Sequence, residues 1–154
     1  MFEVIQRFGI TERRREILSG LLSYQRALIA AGFVNGFQWL DGSFCKDIET
    51  IAGRAPRDVD VVTLAYRPID KSNTVAFADF IDERDDIFDA DAVKEAYKVD
   101  GYLIDLNAMP HLIVSNTVYW YGLFSHQRET SLWKGMLQIP LNDPDTDEVA
   151  SMLL

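Results

Sequence analysis

The chain has 154 residues, of which 48% are hydrophobic, and its formal net charge is −9. A domain of this size can bury a substantial core, and the acidic balance argues against a polynucleotide ligand, because nonspecific binding to nucleic acid needs basic groups. The sequence has no apolar run long enough for a membrane span, and the single cysteine, Cys45, excludes an internal disulfide. Because the first residues also lack the layout of a secretory signal, we predict one cytoplasmic domain over residues 1–154.

The first predicted element is a helix that begins after Thr11 and ends at Gly32. Thr11 can cap the first turn, apolar residues then recur at steps of three and four, and glycine is suited to the end of a helix. Arg13, Arg14 and Arg15 lie in the first turns, where the helix dipole disfavours cations. We interpret these arginines as a solvated face, with a partner contact as the alternative.

Two strands are predicted next. Residues 37–40 form the first strand, and Ser43 then begins a short helical or irregular stretch. The valine-rich residues 58–65 form the second strand and are typical of a strand buried on both faces. Asp58 and Asp60 begin this strand, and their spacing turns both carboxylates to the same face of the sheet.

The second half of the chain continues the alternation of helices and strands. Residues 74–98 are predicted to be helical in two pieces and are strongly acidic, which indicates a solvated surface or, alternatively, a contact for a basic partner. Residues 102–106 form a third strand with one acid, Asp105, which is costly in an apolar context unless it is paired or coordinated. A helix over 110–124 and a strand over 136–141 complete an α/β or α+β sheet domain.

The candidate functional residues are Gly42, Ser43, Asp58, Asp60 and Asp105, which together have the parts needed for phosphoryl or nucleotidyl transfer. Glycine lets the backbone approach a phosphate, and backbone N–H groups with a serine hydroxyl offer it hydrogen bonds. Carboxylates from neighbouring strands can hold one or two Mg²⁺ ions, which neutralise a triphosphate and activate the incoming hydroxyl. Taken singly, each feature also has a structural interpretation as a turn, a solvated strand end or a hydrogen-bonded buried acid.

The basic residues lie mainly in the first part of the chain. Residues 1–57 hold eight basic and six acidic residues, a net charge of +2, whereas residues 58–154 hold seven and eighteen, a net charge of −11. Lys46, Arg54 and Arg57 are close enough in sequence to reach a phosphate tail, lysine as a point charge and arginine as a fork. This distribution suits a site that receives phosphates on one side and a metal ion on the other, although it also arises by chance.

Two segments of the chain resemble the signature of the nucleotidyltransferase superfamily, which shares its fold with DNA polymerase beta. Residues 37–44 contain Leu-Asp-Gly-Ser-Phe, and residues 56–62 contain Pro-Arg-Asp-Val-Asp. More narrowly, the whole chain resembles small bacterial and prophage proteins of that superfamily, with an arginine-rich first helix and a later aromatic segment. The resemblance implies a minimal nucleotidyltransferase fold, a short mixed β-sheet with helices packed on it.

The same resemblance implies roles for individual residues. Gly42 and Ser43 would hold the nucleotide phosphates with help from the basic residues named above, and Asp58 and Asp60 would bind Mg²⁺. Asp105 would be a third carboxylate that helps to deprotonate the attacking hydroxyl. Members of the superfamily move a nucleoside monophosphate from ATP or another triphosphate to a hydroxyl of a protein, an antibiotic or a nucleic acid.

We therefore expect a Mg²⁺-dependent nucleotidyltransferase that modifies a protein or small-molecule hydroxyl. The alternative is a catalytically silent relative that binds a protein partner, such as one half of a toxin–antitoxin pair or a phage-defence component. This alternative is motivated by Cys45-Lys46-Asp47, where the superfamily usually has a glycine or arginine, and by the acidic surface around residues 79–100. A third possibility is that the acids bind a structural cation only.

Overall fold

The computed structural model describes residues 1–127, 130–144 and 146–153. Within them, one sheet contains four strands, which are β1 (Gly36–Asp41), β2 (Val59–Ala65), β3 (Val99–Asp105) and β4 (Leu137–Pro140). The order across the sheet is β3-β2-β1-β4, with β2 and β3 parallel and β1 antiparallel to both β2 and β4. Helices pack on this mixed sheet, which confirms the predicted α/β class.

The helices of the described residues are α1 (Phe2–Phe8), α2 (Glu12–Ala30), α3 (Ile48–Ala52), α4 (Thr74–Asp82), α5 (Asp85–Phe88), α6 (Ala90–Tyr97), α7 (Pro110–Phe124) and α8 (Thr146–Ala150). Short 3-10 helices cover Ser43–Cys45, Ile69–Lys71 and Ser151–Leu153. No helix in the described ranges has both the length and the apolar character that a membrane crossing requires.

The predicted first long helix is confirmed as α2. The Thr11 side chain accepts a hydrogen bond from the backbone N–H of Arg14 at 3.3 Å and so caps the first turn. The apolar residues at helical spacing are buried beneath the helix, and the chain leaves it through Gly32, whose φ is +99°. A side chain at Gly32 would approach Pro68 to 2.8 Å, so both the backbone conformation and the packing favour glycine there.

The segment before β3 differs from the prediction. Residues 74–98 form three helices, α4, α5 and α6, and β3 begins at Val99, three residues before the predicted start. Lys98 ends α6 in the left-handed conformation with a φ of 57°, which turns the chain directly into the strand. Val99 is fully buried beside Val59 of β2, so burial against the neighbouring strand extends β3 backwards and includes Asp100 in it.

The two faces of the sheet carry different layers. One face packs mainly on α2 and its neighbours, and it contains Leu40, Val59, Val61 and Val99. The opposite face, which contains Trp39, Val62, Leu64 and Ile104, packs on Phe124 of α7. Because side chains alternate along a strand, the even-numbered residues of β2 and β3 and the odd-numbered residues of β1 lie on the α7 face.

Candidate functional site

Three aspartates lie side by side on the α7 face at one end of the sheet. Asp41 is opposite Asp60 in the antiparallel β1–β2 pair, and Asp60 is beside Asp100 in the parallel β2–β3 pair. Neighbouring strands are about 5 Å apart, so these aspartates are direct neighbours. Asp58, directly before β2, is linked to this group by Lys94, whose Nζ contacts both Asp58 and Asp100. We call Asp41, Asp58, Asp60 and Asp100 the acidic row.

The Gly-Ser turn adjoins the acidic row. Gly42 follows β1 directly and has a φ of +86°, a conformation that favours glycine. A Cβ atom at Gly42 would lie 2.9 Å from the carboxylate carbon and one oxygen of Asp60, so the backbone here passes against that carboxylate. Ser43 begins the 3-10 helix that follows. The structure therefore brings together Gly42, Ser43 and Asp60, as the sequence predicted.

Lys94 joins two members of the acidic row. Its ammonium Nζ, carried by α6, lies 2.8 Å from Oδ2 of Asp58 and 3.2 Å from Oδ2 of Asp100. These carboxylates raise the pKa of Lys94, with the hydrogen bond to Asp58 as the largest cause. One ammonium thus connects an acid at the start of β2 with an acid in β3, and it offsets part of the repulsion between them.

Lys134 pairs with Asp41 from the segment that precedes β4. Its Nζ donates a hydrogen bond to Oδ2 of Asp41, and the Asp41 side chain is only 3% exposed. Burial raises the pKa of Asp41, while the hydrogen bonds from Lys134 and from the Gly42 backbone oppose that shift. The second oxygen, Oδ1 of Asp41, is buried without a hydrogen-bond partner. A buried carboxylate oxygen in that condition is costly.

The basic residues that the sequence predicted for phosphate binding lie around the turn. Lys46 follows the 3-10 helix and is close enough to Asp41 to act on its pKa in the lowering direction. Arg57 is exposed directly before Asp58. Arg54 is exposed in the same loop and donates to the carbonyl of Ala55 at 3.3 Å. Lys46 therefore lies five residues after Asp41, and Arg57 lies directly before Asp58.

Arg14 is a residue that the sequence analysis misjudged. It is 2% exposed, so its interpretation as part of a solvated face is wrong. Its guanidinium donates to the carbonyl oxygens of Phe44 at 2.7 Å and Lys46 at 2.6 Å, and forms two hydrogen bonds to the Glu49 carboxylate. The hydrogen bonds from Arg14 lower the pKa of Glu49. Arg14 thereby holds the chain segment directly after Ser43 in place.

Arg13, the preceding residue, contacts the other loop of the site. Its guanidinium donates to the carbonyl of Arg57 at 2.7 Å and to that of Pro56 at 3.4 Å. Arginines at adjacent positions of α2 therefore fix the segment after β1 and the segment before β2. The signal in the sequence was their place in the first helical turn, where a cation needs an anionic or carbonyl partner to offset the helix dipole.

Asp105 lies at the other end of β3. It is beside Ala65 in the β2–β3 register, five residues from Asp100, which is roughly 16 Å along a strand. Arg67 donates to Oδ2 of Asp105 from Nη2 at 2.6 Å and from Nε at 2.9 Å, and the backbone N–H of Asn107 donates to Oδ1 at 2.8 Å. The prediction that Asp105 converges with Asp58 and Asp60 is therefore wrong. The parallel register places Asp100, and not Asp105, beside Asp60.

Two further side chains border the acidic row. Burial raises the pKa of the Cys45 thiol to about 12, and the nearby Asp41 carboxylate acts in the same direction, so this thiol stays protonated at neutral pH. Burial also raises the pKa of Tyr102 to about 12, together with its hydrogen bond to Asp100. The Tyr102 ring packs on Trp120 of α7, with centroids 4.2 Å apart. Neither side chain adds a nucleophile to the site.

The acidic row has the donor chemistry of a magnesium site. Among the residues that the structure describes, no three acidic, histidine or cysteine side chains converge as a metal site made of protein ligands alone would require. Mg²⁺ is usually held by only one or two carboxylates, with water and substrate phosphates completing its shell. Two carboxylates of the acidic row could hold such an ion. One is Asp60, which lies against the Gly42 backbone, and the other is Asp41, whose Oδ1 has no hydrogen-bond partner.

Comparison with known proteins identifies the family of the chain. Residues 1–140 match a family described as "Family of unknown function (DUF6932)". No curated protein and no solved structure matches the chain. The family description assigns no activity, so the resemblance to nucleotidyltransferases stays a prediction. Because the match covers most of its length, the chain belongs to this family.

Proposed function

We propose that this member of the family is a Mg²⁺-dependent nucleotidyltransferase that moves a nucleoside monophosphate from ATP or another triphosphate to a protein or small-molecule hydroxyl. The observation that carries the proposal is the acidic row beside the Gly42 turn, with carboxylates from three adjacent strands on one face. Such a row needs cations, and a glycine turn next to it admits phosphate groups at backbone distance.

We assign different roles to the carboxylates of the acidic row. Asp60 is the first metal ligand, because the backbone of the turn passes directly against it. Asp58 and Asp100 are further candidates for the same task, and Asp100 takes the role that the resemblance implied for Asp105. Bound Mg²⁺ would neutralise the triphosphate and polarise its phosphorus–oxygen bonds. The requirement for Mg²⁺ and the number of ions are part of the proposal.

The phosphates would lie against the turn. Gly42 allows close approach of the backbone, the Ser43 hydroxyl offers a hydrogen bond, and Lys46 and Arg57 supply positive charge. Lys134 adds a cation from the C-terminal part of the chain, held at Asp41. Arg14 and Arg13 act as positioning residues, since they fix the two backbone segments that carry these groups.

The reaction balances with these groups. The acceptor hydroxyl oxygen forms a bond to the α-phosphorus, the bond from that phosphorus to the β-phosphate bridging oxygen breaks, and pyrophosphate leaves with the electron pair. The hydroxyl proton passes to a carboxylate of the acidic row, for which Asp100 is the assigned acceptor. Positioning and charge stabilisation supply most of the rate in phosphoryl transfer, and this requires fixed groups at the turn.

Labelling of a cell lysate tests the activity. Wild-type protein with ATP labelled at the α-phosphate and Mg²⁺ is expected to transfer label to an acceptor, and Asp60→Asn is expected to lose at least nine-tenths of it. Asp79→Asn, which removes an exposed acid of α4, is the matched control and is expected to label like wild type. Equal labelling by Asp60→Asn would overturn the assignment of the site.

One observation favours the catalytically silent alternative. Lys94 and Lys134 pair with three of the four aspartates, so these acids are partly neutralised without any metal. A silent, partner-binding protein would show no label on any acceptor and no increase in melting temperature with ATP and Mg²⁺. A melting temperature that rises for wild type but not for Asp60→Asn supports nucleotide binding at the acidic row.

A further inference from the structure

The helix α7 leaves much of its apolar surface exposed. It packs on the sheet through Phe124 and Trp120, which lie on one side of the helix. Val114, Val118 and Tyr121 follow one another at steps of four and three, so they share another side. Six apolar residues of α7 and of the position before it are between 46% and 66% exposed, and we call them the α7 patch: Met109, Leu112, Val114, Val118, Tyr119 and Tyr121.

The sequence around the α7 patch contains no acidic or strongly basic residue. Residues 106–127 lack Asp, Glu, Lys and Arg, and this is the longest such run in a chain of which 25% is charged. A helix on the surface of a soluble protein normally carries charged residues on the face opposite the core. Tyr and Met are enriched in the cores of protein interfaces, and charged residues are depleted there. The composition of the α7 patch is therefore typical of a surface that another protein covers.

The area of the α7 patch corresponds to one side of a small protein interface. Half of a tyrosine side chain exposes roughly 100 Å², so the six side chains together expose about 600 Å². A monomeric soluble protein rarely exposes a larger apolar patch than this. A specific interface buries at least about 1,200 Å² in total, or about 600 Å² from each partner. Two copies of the patch therefore reach the area that a stable dimer needs.

The charge of the whole chain indicates which molecule fits this surface. A net charge of −9 disfavours anionic lipids and polynucleotides, and residues 106–127 lack the Lys and Arg with which an interfacial helix binds such lipids. Two copies of so acidic a chain repel each other unless the surfaces that meet carry no charge. The α7 patch fulfils this condition, because contact of the patch with itself places no carboxylates opposite one another.

We propose that the α7 patch binds the same patch of a second copy of the chain, so that the protein forms a dimer with twofold symmetry. The interface is isologous, since each copy contributes the same helix. Val118 lies near the middle of α7, so the two Val118 side chains lie close to the twofold axis. The inference does not depend on nucleotidyl transfer, which concerns the acidic row.

The mass of the protein in solution tests the dimer. Specific interfaces typically have dissociation constants in the micromolar range or below, so sedimentation equilibrium at about 100 μM should give the wild type a dimer mass. That mass is twice the chain mass of 17.5 kDa. Val118→Lys is expected to raise the dissociation constant at least about 100-fold, because two ammonium groups then meet. Val75→Lys, at a similarly exposed valine of α4, is the matched control and is expected to remain dimeric.

Complementary charges test whether the two Val118 side chains meet. Val118→Lys and Val118→Glu are each expected to be monomeric, and their equimolar mixture is expected to recover the dimer mass. Recovery would support a twofold contact at this residue, which binding of α7 to a different protein would not produce. A monomeric wild type would overturn the inference without any variant. A folded Val118→Lys variant that remains dimeric, or a mixture that remains monomeric, would also overturn it, with circular dichroism to check that each variant is folded.

Discussion

The aspartates at the two ends of the parallel β2–β3 pair have different kinds of partner. At the end that contains Asp105, both carboxylate oxygens are used, one by the fork of Arg67 and one by the backbone N–H of Asn107. At the other end, Asp58 and Asp100 share one lysine, which remains 45% exposed. We call the first the closed end and the second the open end.

The difference lies in the chemistry of the partner. Arginine binds carboxylate through a planar fork, so the Arg67 pair is fixed in geometry, and its guanidinium also lies over the Phe77 ring at 4.7 Å. Lysine is a mobile point charge, which another cation can replace. An acid with every oxygen satisfied holds loops together, whereas acids that share a lysine keep the capacity to bind an ion or a phosphate-bearing ligand.

The largest effect is expected behind the open end. Arg14→Met should lower the free energy of unfolding by about 3–5 kcal/mol, because it removes the partner of Glu49 and leaves a buried carbonyl of Phe44 unsatisfied. Urea denaturation measures the change. Arg15→Met is the control, since Arg15 is exposed and its Nε donates to the Gly9 carbonyl at 3.0 Å. Equal losses in the two variants would show that Arg14 does not anchor the turn.

An intermediate effect is expected from matched changes at the two ends. Asp105→Asn should cost about 2 kcal/mol, because Arg67 loses its charged partner in a largely buried setting. Asp58→Asn should change the free energy of unfolding by less than about 1 kcal/mol, since it also relieves repulsion within the acidic row and leaves Lys94 paired with Asp100. A larger cost for Asp58→Asn would reverse the distinction between closed and open ends.

The smallest effect concerns pH. The hydrogen bonds from Arg14 hold the pKa of Glu49 below its ordinary value in the folded protein. A lowered pKa stabilises the fold above the unfolded value and loses that contribution as pH falls through the folded pKa. Glu49→Gln should therefore flatten the fall in unfolding free energy below about pH 4.5, by roughly 1 kcal/mol or less. Denaturant titrations at pH 7, 5, 4 and 3 measure it, and an unchanged slope would exclude this contribution.

Local signals predicted several elements well. α7 begins at Pro110 and ends at Phe124, as predicted, because proline suits the first turn of a helix and the apolar spacing runs its whole length. The cap at Thr11 and the strand after Asp58 are likewise confirmed. The sequence also predicted the association of the Gly-Ser turn with Asp60, and the antiparallel pairing of β1 and β2 brings the two together at one end of the sheet.

Features that depend on contacts between distant residues could not be predicted from the sequence. The start of β3 at Val99 depends on burial beside Val59, forty residues earlier in the chain, and without it Asp100 looks like one more acid of an acidic stretch. The interpretation of Arg14 as solvated failed for a similar reason. Its partners Phe44, Lys46 and Glu49 lie at least thirty residues away, and no periodicity in α2 indicates them.

The sequence by itself determined that this chain is an α/β domain with a glycine turn followed by two aspartates on one face of a strand. It did so because propensity, capping and side-chain alternation act within a few residues of each other. Only the tertiary structure decided which further acids join them. The parallel register brought Asp100 to Asp60 and carried Asp105 to the closed end, and packing placed Lys94 and Lys134 among the acids. Register and packing depend on burial between distant segments, which local sequence does not encode.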